Sequence, residues 1–464
     1  MHTIRCVESM RSERYIRILE PRVSEDRKIL FELTCSKGIE KYFWSNRLYI
    51  EYEKSIERLD HSILYIPAVS SVITVAWAIG AEVYVEKLDQ AYLRSLSEIK
   101  PVMKRWYPDF SFSTEIDVEN LVSNRFCNDR YGLLFTGGVD SVTSYIKHER
   151  KKPDLIKVWG QDVPFDDEKN WKKVQKMLTE FSDRNGAKIH VIRTNIPRIA
   201  NKQVLYREFG LDWWPNVCHG IVLTGLSAPL TCVTGIGTLY VASGGTKVVD
   251  KIPWGSSPLI DNKITWAGVK VVHDDYEVSR QQKIRCFLRD YLKDKPHIFL
   301  KVCNDSRLPS SNCGRCEKCL RTITELLIEG IDPNKCGFQN IDSKTLDFIK
   351  KSFIKKNFFA RKWIIERRAE LYARIAEFFF WKDAQDHMLN TPENSLQWSK
   401  EFLDWFRTFN ISEYLQIVQE NVRISLPYLF YMVILTICYR MPGSTQNAIK
   451  QLLNFLLKLP KESV

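Results

Sequence analysis

Tyr131–Thr143 reads YGLLFTGGVDSVT, and the interpretation of these thirteen residues decides the fold. A short apolar run, Leu133, Leu134 and Phe135, stops at Thr136-Gly137-Gly138. Val139, Asp140 and Ser141 then open a segment with Val142, Tyr145 and Ile146 at helical spacing, which predicts a strand, a tight glycine loop and a helix N-terminus. Backbone N–H groups left unpaired at the positive end of a helix make a ready anion site. The glycines let the backbone approach an oxyanion, Thr136 and Ser141 can add hydroxyl donors, and Asp140 can hold the Mg2+ that accompanies a nucleoside triphosphate. On this reading the stretch is a pyrophosphate-binding loop. Two glycines followed by Asp and Ser also make an ordinary turn with a capped helix. No Lys follows where a Walker A loop requires one, so the choice falls to the context.

Working outward, the chain alternates. A strand at Asp154–Trp159 is followed by a helix from Asp166 or Asp167 with Trp171, Val174, Leu178 and Phe181 on one face. A strand at Lys188–Thr194, a helix opened by Pro215, a strand at Leu239–Ala242, a helix over Ser279–Leu292 and a strand at His297–Val302 complete the pattern. Strands separated by amphipathic helices imply an α/β fold with a parallel, doubly wound sheet over residues 125–340. Ligands of such sheets sit at the carboxyl ends of strands near the switch in strand order, where this loop would lie.

The flanks differ. Residues 1–124 give three strand-like runs, RYIRIL, KILFELT and LYIEYE, then helical patterns at Ile66–Ile79 and Tyr92–Trp106, an N-terminal α+β domain. Residues 341–464 show aromatic-rich helical patterns and almost no strand signal, a C-terminal helical domain. At 464 residues, two or three domains are expected. A net charge of +12 and a pI near 9.0 favour acidic partners such as nucleotides or nucleic acid. The start, MHTIRCVESMRSERYIRILE, has no apolar signal-peptide core. The apolar stretches Ile66–Ala81 and Leu426–Tyr439 fall short of the ~20 residues that span a bilayer, so buried helices and no membrane are expected.

The second chemical feature is Cys303 followed by Cys313-Gly314-Arg315-Cys316-Glu317-Lys318-Cys319. Two overlapping C-x-x-C pairs and an upstream Cys supply the four thiolates that tetrahedral Zn2+ prefers. An iron–sulfur cluster is the competing centre, but the ferredoxin-like run wants a further Cys followed by Pro, where Ile323-Thr324 stand. Cys336 is a substitute ligand. Twelve cysteines, several at metal-like spacing, imply thiolates in a reducing cytoplasm with no disulfides. A four-cysteine zinc site has no open position, so its role is structural and the chemistry falls to the glycine loop.

Together, a strand-T-G-G-V-D-S-helix and, about 160 residues later, C-x9-C-G-x-C-x-x-C resemble the PP-loop, or N-type ATP pyrophosphatase, superfamily. The likeness is closest to the 7-cyano-7-deazaguanine synthases, including relatives in anti-phage defence operons, and covers roughly Arg130 to Cys336. Thr136 stands where that family usually has Ser, which keeps the hydroxyl. The resemblance implies ATP held on Thr136, Gly137, Gly138, Val139, Asp140 and Ser141, with Mg2+, and a carboxylate such as a 7-deazaguanine acid attacking the α-phosphorus. The acyl-adenylate so formed would pass to ammonia or an amine. Met1-His2 lacks the N-terminal Cys nucleophile of a glutaminase, so free ammonia or an amine carried by a partner would serve.

Further candidates are Asp162 after Trp159-Gly160-Gln161, against adenine or substrate, and Lys247 in Ser243–Lys247, against phosphate. Pro253–Pro258 could wall the pocket, and Arg280 and Lys283, after His273-Asp274-Asp275-Tyr276-Glu277, could bind phosphate or a carboxylate. Each competes with an ordinary cap or solvated base. His219, in an apolar helix, reads as a satisfied core histidine. The basic and aromatic run Lys350–Arg368 reads as a core face with a solvated basic back rather than a tRNA or DNA surface, so nucleic acid is the less favoured partner. The leading expectation is a cytoplasmic AMP-forming ligase acting on a small carboxylate. A tRNA-modifying enzyme and a nucleotide-binding scaffold or sensor with a protein partner from the same operon are the alternatives.

Overall fold

Among the described residues, twelve strands join one mixed sheet: β1 (Tyr15–Ile18), β2 (Arg22–Ser24), β3 (Lys28–Cys35), β4 (Arg47–Tyr52), β5 (Glu82–Asp89), β6 (Ile116–Val122), β7 (Arg130–Leu134), β8 (Asp154–Trp159), β9 (Ile189–Thr194), β10 (Ile236–Ala242), β11 (Thr265–Trp266) and β12 (Val269–Asp274). This computed structural model describes residues 13–126, 129–244, 253–303, 305, 307–354, 368–391 and 395–411. Lys247, most of the basic run Lys350–Arg368, the apolar stretch Leu426–Tyr439 and the rest of the C-terminal region lie outside the described residues.

The strand order is β11-β12-β10-β7-β8-β9-β4-β3-β1-β5-β6, with β2 beside β3. From β7 the chain steps to β8 and β9 on one side, then returns to β10 and β12 on the other, and all four junctions are parallel. This order is compatible with the expected doubly wound sheet, and its direction reverses between β7 and β10. β8 is buried at every position, as a parallel strand covered on both faces must be.

The N-terminal strands extend this same sheet. β4 pairs antiparallel with β9, Ile50 opposite Thr194, and β3 and β4 alternate buried with more exposed residues. That alternation is the mark of a sheet with one wetter face. β5, β6, β11 and β12 were not foreseen from the sequence. In β5, EVYVEKLD, the charges that read as a linker occupy alternate positions, leaving Val83 and Val85 buried.

One predicted strand is corrected. Residues 297–303 join no strand. Their N–H groups bond to turns instead: Ile298 to the Lys335 carbonyl (3.0 Å), Leu300 to Cys336 (3.1 Å) and Lys301 to Gly137 (2.7 Å). The outer edge of β12 is already taken by β11. The helix expected to open at Pro215 begins with a π turn at Trp213–Cys218 and continues as His219–Thr234.

Helices His61–Ile79 and Trp213–Thr234 are long and apolar enough to cross a membrane, yet 100% and 83% of their most apolar windows are buried inside the fold. The two pack on each other. They meet at Gly225, where an added Cβ would sit 2.4 Å from Ser70 Oγ, so only glycine permits the approach. Past residue 340 the described chain is helical: Ser343–Ile354, Arg368–Leu389 and Lys400–Thr408. These close around Phe353, whose ring lies 4.8 Å from Trp381 and 5.3 Å from Phe409. Arg321 stacks over Phe380 (4.3 Å) and ties this unit to helix Glu317–Ile328.

Candidate functional site

The glycine loop leaves β7 at its carboxyl end and turns into helix Val139–His148. Gly137 has φ +81°, a conformation that side chains with a Cβ avoid, and this turns the loop back over the helix end. Ser141 holds the turn closed. Its Oγ accepts from the N–H groups of Thr136 (3.3 Å) and Gly137 (3.2 Å) and lies 3.1 Å from Thr136 Oγ1, which accepts from Gly138 N–H (3.3 Å). These are long bonds, and the three backbone donors converge on one small polar spot. Helix Val139–His148 has no side-chain cap at Gly138.

Asp140, in the first turn, is the hub of a charged crevice. Its Oδ2 lies 3.3 Å from Arg280 Nη1 and its Oδ1 3.9 Å from Lys283 Nζ. Burial alone would raise the Asp140 carboxyl, but Arg280, Lys283, Lys318 and Arg321 outweigh it and hold it below the usual carboxylate range. The sequence assigned Asp140 to Mg2+, whereas the fold surrounds it with cations. Its buried Oδ1 accepts no hydrogen bond.

Arg280 and Lys283 are both buried, at 5% and 1% exposure, on a helix opened by a capping box at Ser279. Arg280 also reaches Thr322 Oγ1 (3.4 Å) and stands 3.2 Å from Glu325 Oε2. Lys283 donates to the Ser243 carbonyl (2.6 Å) just past β10 and so ties the second strand of the switch point to Asp140. An added Cβ on Gly244 would lie 3.8 Å from Asp140 Oδ2, so the β10 loop borders the same crevice.

Asp162 is paired with Lys157 (2.9 Å), whose charge is the main reason its carboxyl is lowered, with Lys318 and Lys301 adding to it. Lys157, Lys301, Lys318 and Arg321 are the residues sequence reasoning missed. The signals were a lysine in an otherwise apolar strand, DLIKVW, and a lysine between two cysteines.

Cys303, Cys313, Cys316 and Cys319 converge, with all four sulfurs within 4.8 Å of one another. Cys303–Cys316 is 3.9 Å and Cys313–Cys319 3.8 Å, close to the ~3.8 Å edge of a tetrahedron with 2.3 Å Zn–S bonds. Backbone N–H groups of Arg315 (3.4 Å) and Cys316 (3.2 Å) point at Cys313 Sγ, and that of Asp305 (3.4 Å) at Cys303 Sγ, the outer support that metal-bound sulfur takes. The donor set fits a closed tetrahedral metal such as zinc. Cys336 is fully buried and outside the cluster, so Cys303 supplies the fourth sulfur.

His219, His273 and Asp274 are engaged in contacts within the fold. His219 Nδ1 meets the Trp214 carbonyl (3.1 Å), and burial lowers its pKa to about 4. His273 pairs with the buried Asp261 (2.8 Å), which also accepts from Ser256 of the Pro253–Pro258 loop (2.5 Å). Asp274 accepts from Ser144 (2.6 Å) and Lys147 (2.8 Å) and meets His148 Nε2 (3.1 Å), locking the loop helix onto β12.

Fold and site define a class: an α/β protein with a glycine loop at the carboxyl end of a parallel strand, a cluster of buried charges around Asp140 beside it, and a four-cysteine centre able to hold a metal. No family model, curated protein or solved structure matches this chain.

Proposed function

We propose that the chain is an AMP-forming ligase of the PP-loop type, similar to 7-cyano-7-deazaguanine synthase, that spends ATP to activate a small carboxylate in the cytoplasm. The observation that carries the reading is the glycine loop at the β7/β10 switch point, with three N–H donors and two hydroxyls converging beside Asp140, which Arg280 and Lys283 flank. An incoming phosphate would exchange the long N–H···hydroxyl bonds for charge-assisted ones.

In the reaction a carboxylate oxygen attacks the α-phosphorus, the bond to the bridging oxygen breaks, and pyrophosphate leaves with the electron pair. An amine nitrogen then attacks the acyl carbon, AMP departs, and the nitrogen loses a proton. The residues position the reactants and stabilise phosphate charge, with no covalent enzyme nucleophile. Mg2+ would neutralise phosphate charge at Asp140 Oδ1. Arg280 and Lys283 stand on the same carboxylate, so Asp140 would hold the ion only with the charge of bound phosphate to offset them. Zinc on the four cysteines would serve structure.

The test is pyrophosphate release from ATP across a panel of heterocyclic carboxylic acids that includes 7-carboxy-7-deazaguanine. Release should depend on the acid, and Asp140→Ala or Ser141→Ala should abolish it with the circular dichroism unchanged. Undiminished turnover in both variants would remove the loop from the mechanism.

A further inference from the structure

We propose that Glu325 is the positioning residue of the anion site: it keeps the Arg280 guanidinium on the loop helix and supplies its counter-charge when Asp140 turns to bound MgATP. The inference rests on the reading of the glycine loop as a polyphosphate site.

Arg280 is held on three sides. Its Nη1 lies 3.3 Å from Asp140 Oδ2, its Nη2 donates to Thr322 Oγ1 (3.4 Å), and its Nε stands 3.2 Å from Glu325 Oε2. Thr322 and Glu325 are three residues apart on helix Glu317–Ile328, so one turn of that helix holds two sides of the guanidinium and leaves the third to the loop. The same turn also grips the next residue. The Glu325 carbonyl accepts from Gln281 Nε2 (2.9 Å), which reaches Glu329 Oε1 as well (3.0 Å). Arg280 and Gln281 are thereby both fixed against Glu325, one through its side chain and the other through its carbonyl.

The charges call for this second carboxylate. A buried guanidinium is strongly destabilised when its only counter-ion is withdrawn. Asp140 faces both Arg280 and Lys283, and in the loaded site it would face Mg2+ as well. When it does, Arg280 keeps Glu325. Arg321, the other cation beside Glu325 (3.6 Å), has Glu317 at 2.7 Å and does not consume it. Held through Nε and Nη2, Arg280 can exchange Asp140 for a phosphate oxygen at Nη1 by a small shift of one edge of its planar fork.

The experiment is calorimetric titration of the full chain with inorganic pyrophosphate and Mg2+, for wild type, Glu325→Gln, Thr322→Val, Arg280→Gln and the double variant Arg280→Gln/Glu325→Gln. Glu325→Gln keeps the side-chain volume and removes the charge, and should weaken binding about tenfold, with Thr322→Val costing about threefold. In the Arg280→Gln background Glu325→Gln should weaken it no further, because a positioning residue then has nothing left to position. A residue that only supported the fold would cost affinity in both backgrounds alike. Wild-type affinity in folded Glu325→Gln, or fully additive losses in the double variant, would overturn the proposal. If Glu325→Gln does not fold, the same cycle with Thr322→Val and Arg280→Gln decides, a non-additive loss supporting the proposal and an additive loss or none overturning it. Absence of any pyrophosphate binding by the wild type would instead bring down the polyphosphate reading of the loop.

Discussion

Asp274 shows how single side chains hold the loop in place. Burial works against its charge, but hydrogen bonds with His148, Lys147 and Ser144 hold its carboxyl well below the ordinary range. A carboxyl depressed in the folded state stabilises the fold at every pH above its unfolded value, near 4, and the contribution drains away as the pH falls toward the folded value. Asp274→Asn should therefore lower the unfolding free energy at pH 7 by about 1–3 kcal/mol and flatten the acid limb of a urea-midpoint-against-pH curve below pH ~4. At this scale the sequence was uneven. Thr136, Gly137, Gly138 and Ser141 were legible because a turn of that composition has few geometries. Lys318 was not, since the spacing of cysteines says nothing about the direction in which a lysine between them points. Arg280 and Lys283 were legible as bases near a helix start, but their shared partner Asp140 lies 140 positions away in the chain for the first of them.

At the scale of elements, helix pairs and the metal knuckle carry the testable content. Gly225→Val would force a Cβ to within 2.4 Å of Ser70 Oγ and separate two core helices, so a loss of about 1–3 kcal/mol in chemical denaturation is expected. Elemental analysis should return about one zinc per chain, and Cys316→Ser should lose it. A brown, iron-containing preparation would replace zinc by a cluster. The central strands could be read from their apolar runs, whereas β5 was hidden by its charges and residues 297–303 imitated a strand. Hydrophobic pattern reports burial, and a sheet strand and a segment bonded to turns can both be buried.

For the molecule as a whole, the continuous sheet sets what can be cut. β4 covers the edge of β9, and helix His61–Ile79 covers helix His219–Thr234. A chain limited to residues 125–340 would expose both, so it should aggregate or be cleaved rapidly under limited proteolysis, while the full chain resists. Sequence periodicity separated the N-terminal strands from the α/β part because the join between them is a contact between distant residues, which no local pattern encodes. The same holds for the charged site, whose cations come from four separate stretches between Lys157 and Arg321.

The β4–β9 seam also sets a schedule for synthesis. Ile50 finds its partner in Thr194, so when β4 leaves the ribosome its edge stays open until another 140 or so residues have been made. At roughly 5–20 residues per second that interval is about 7–28 s, during which an unpaired edge strand and the largely apolar helix His61–Ile79 both lack the partners that cover them in the fold. Until then the strand edge is open to pairing with another chain. Slowing translation between residues 52 and 194 should lower the soluble yield.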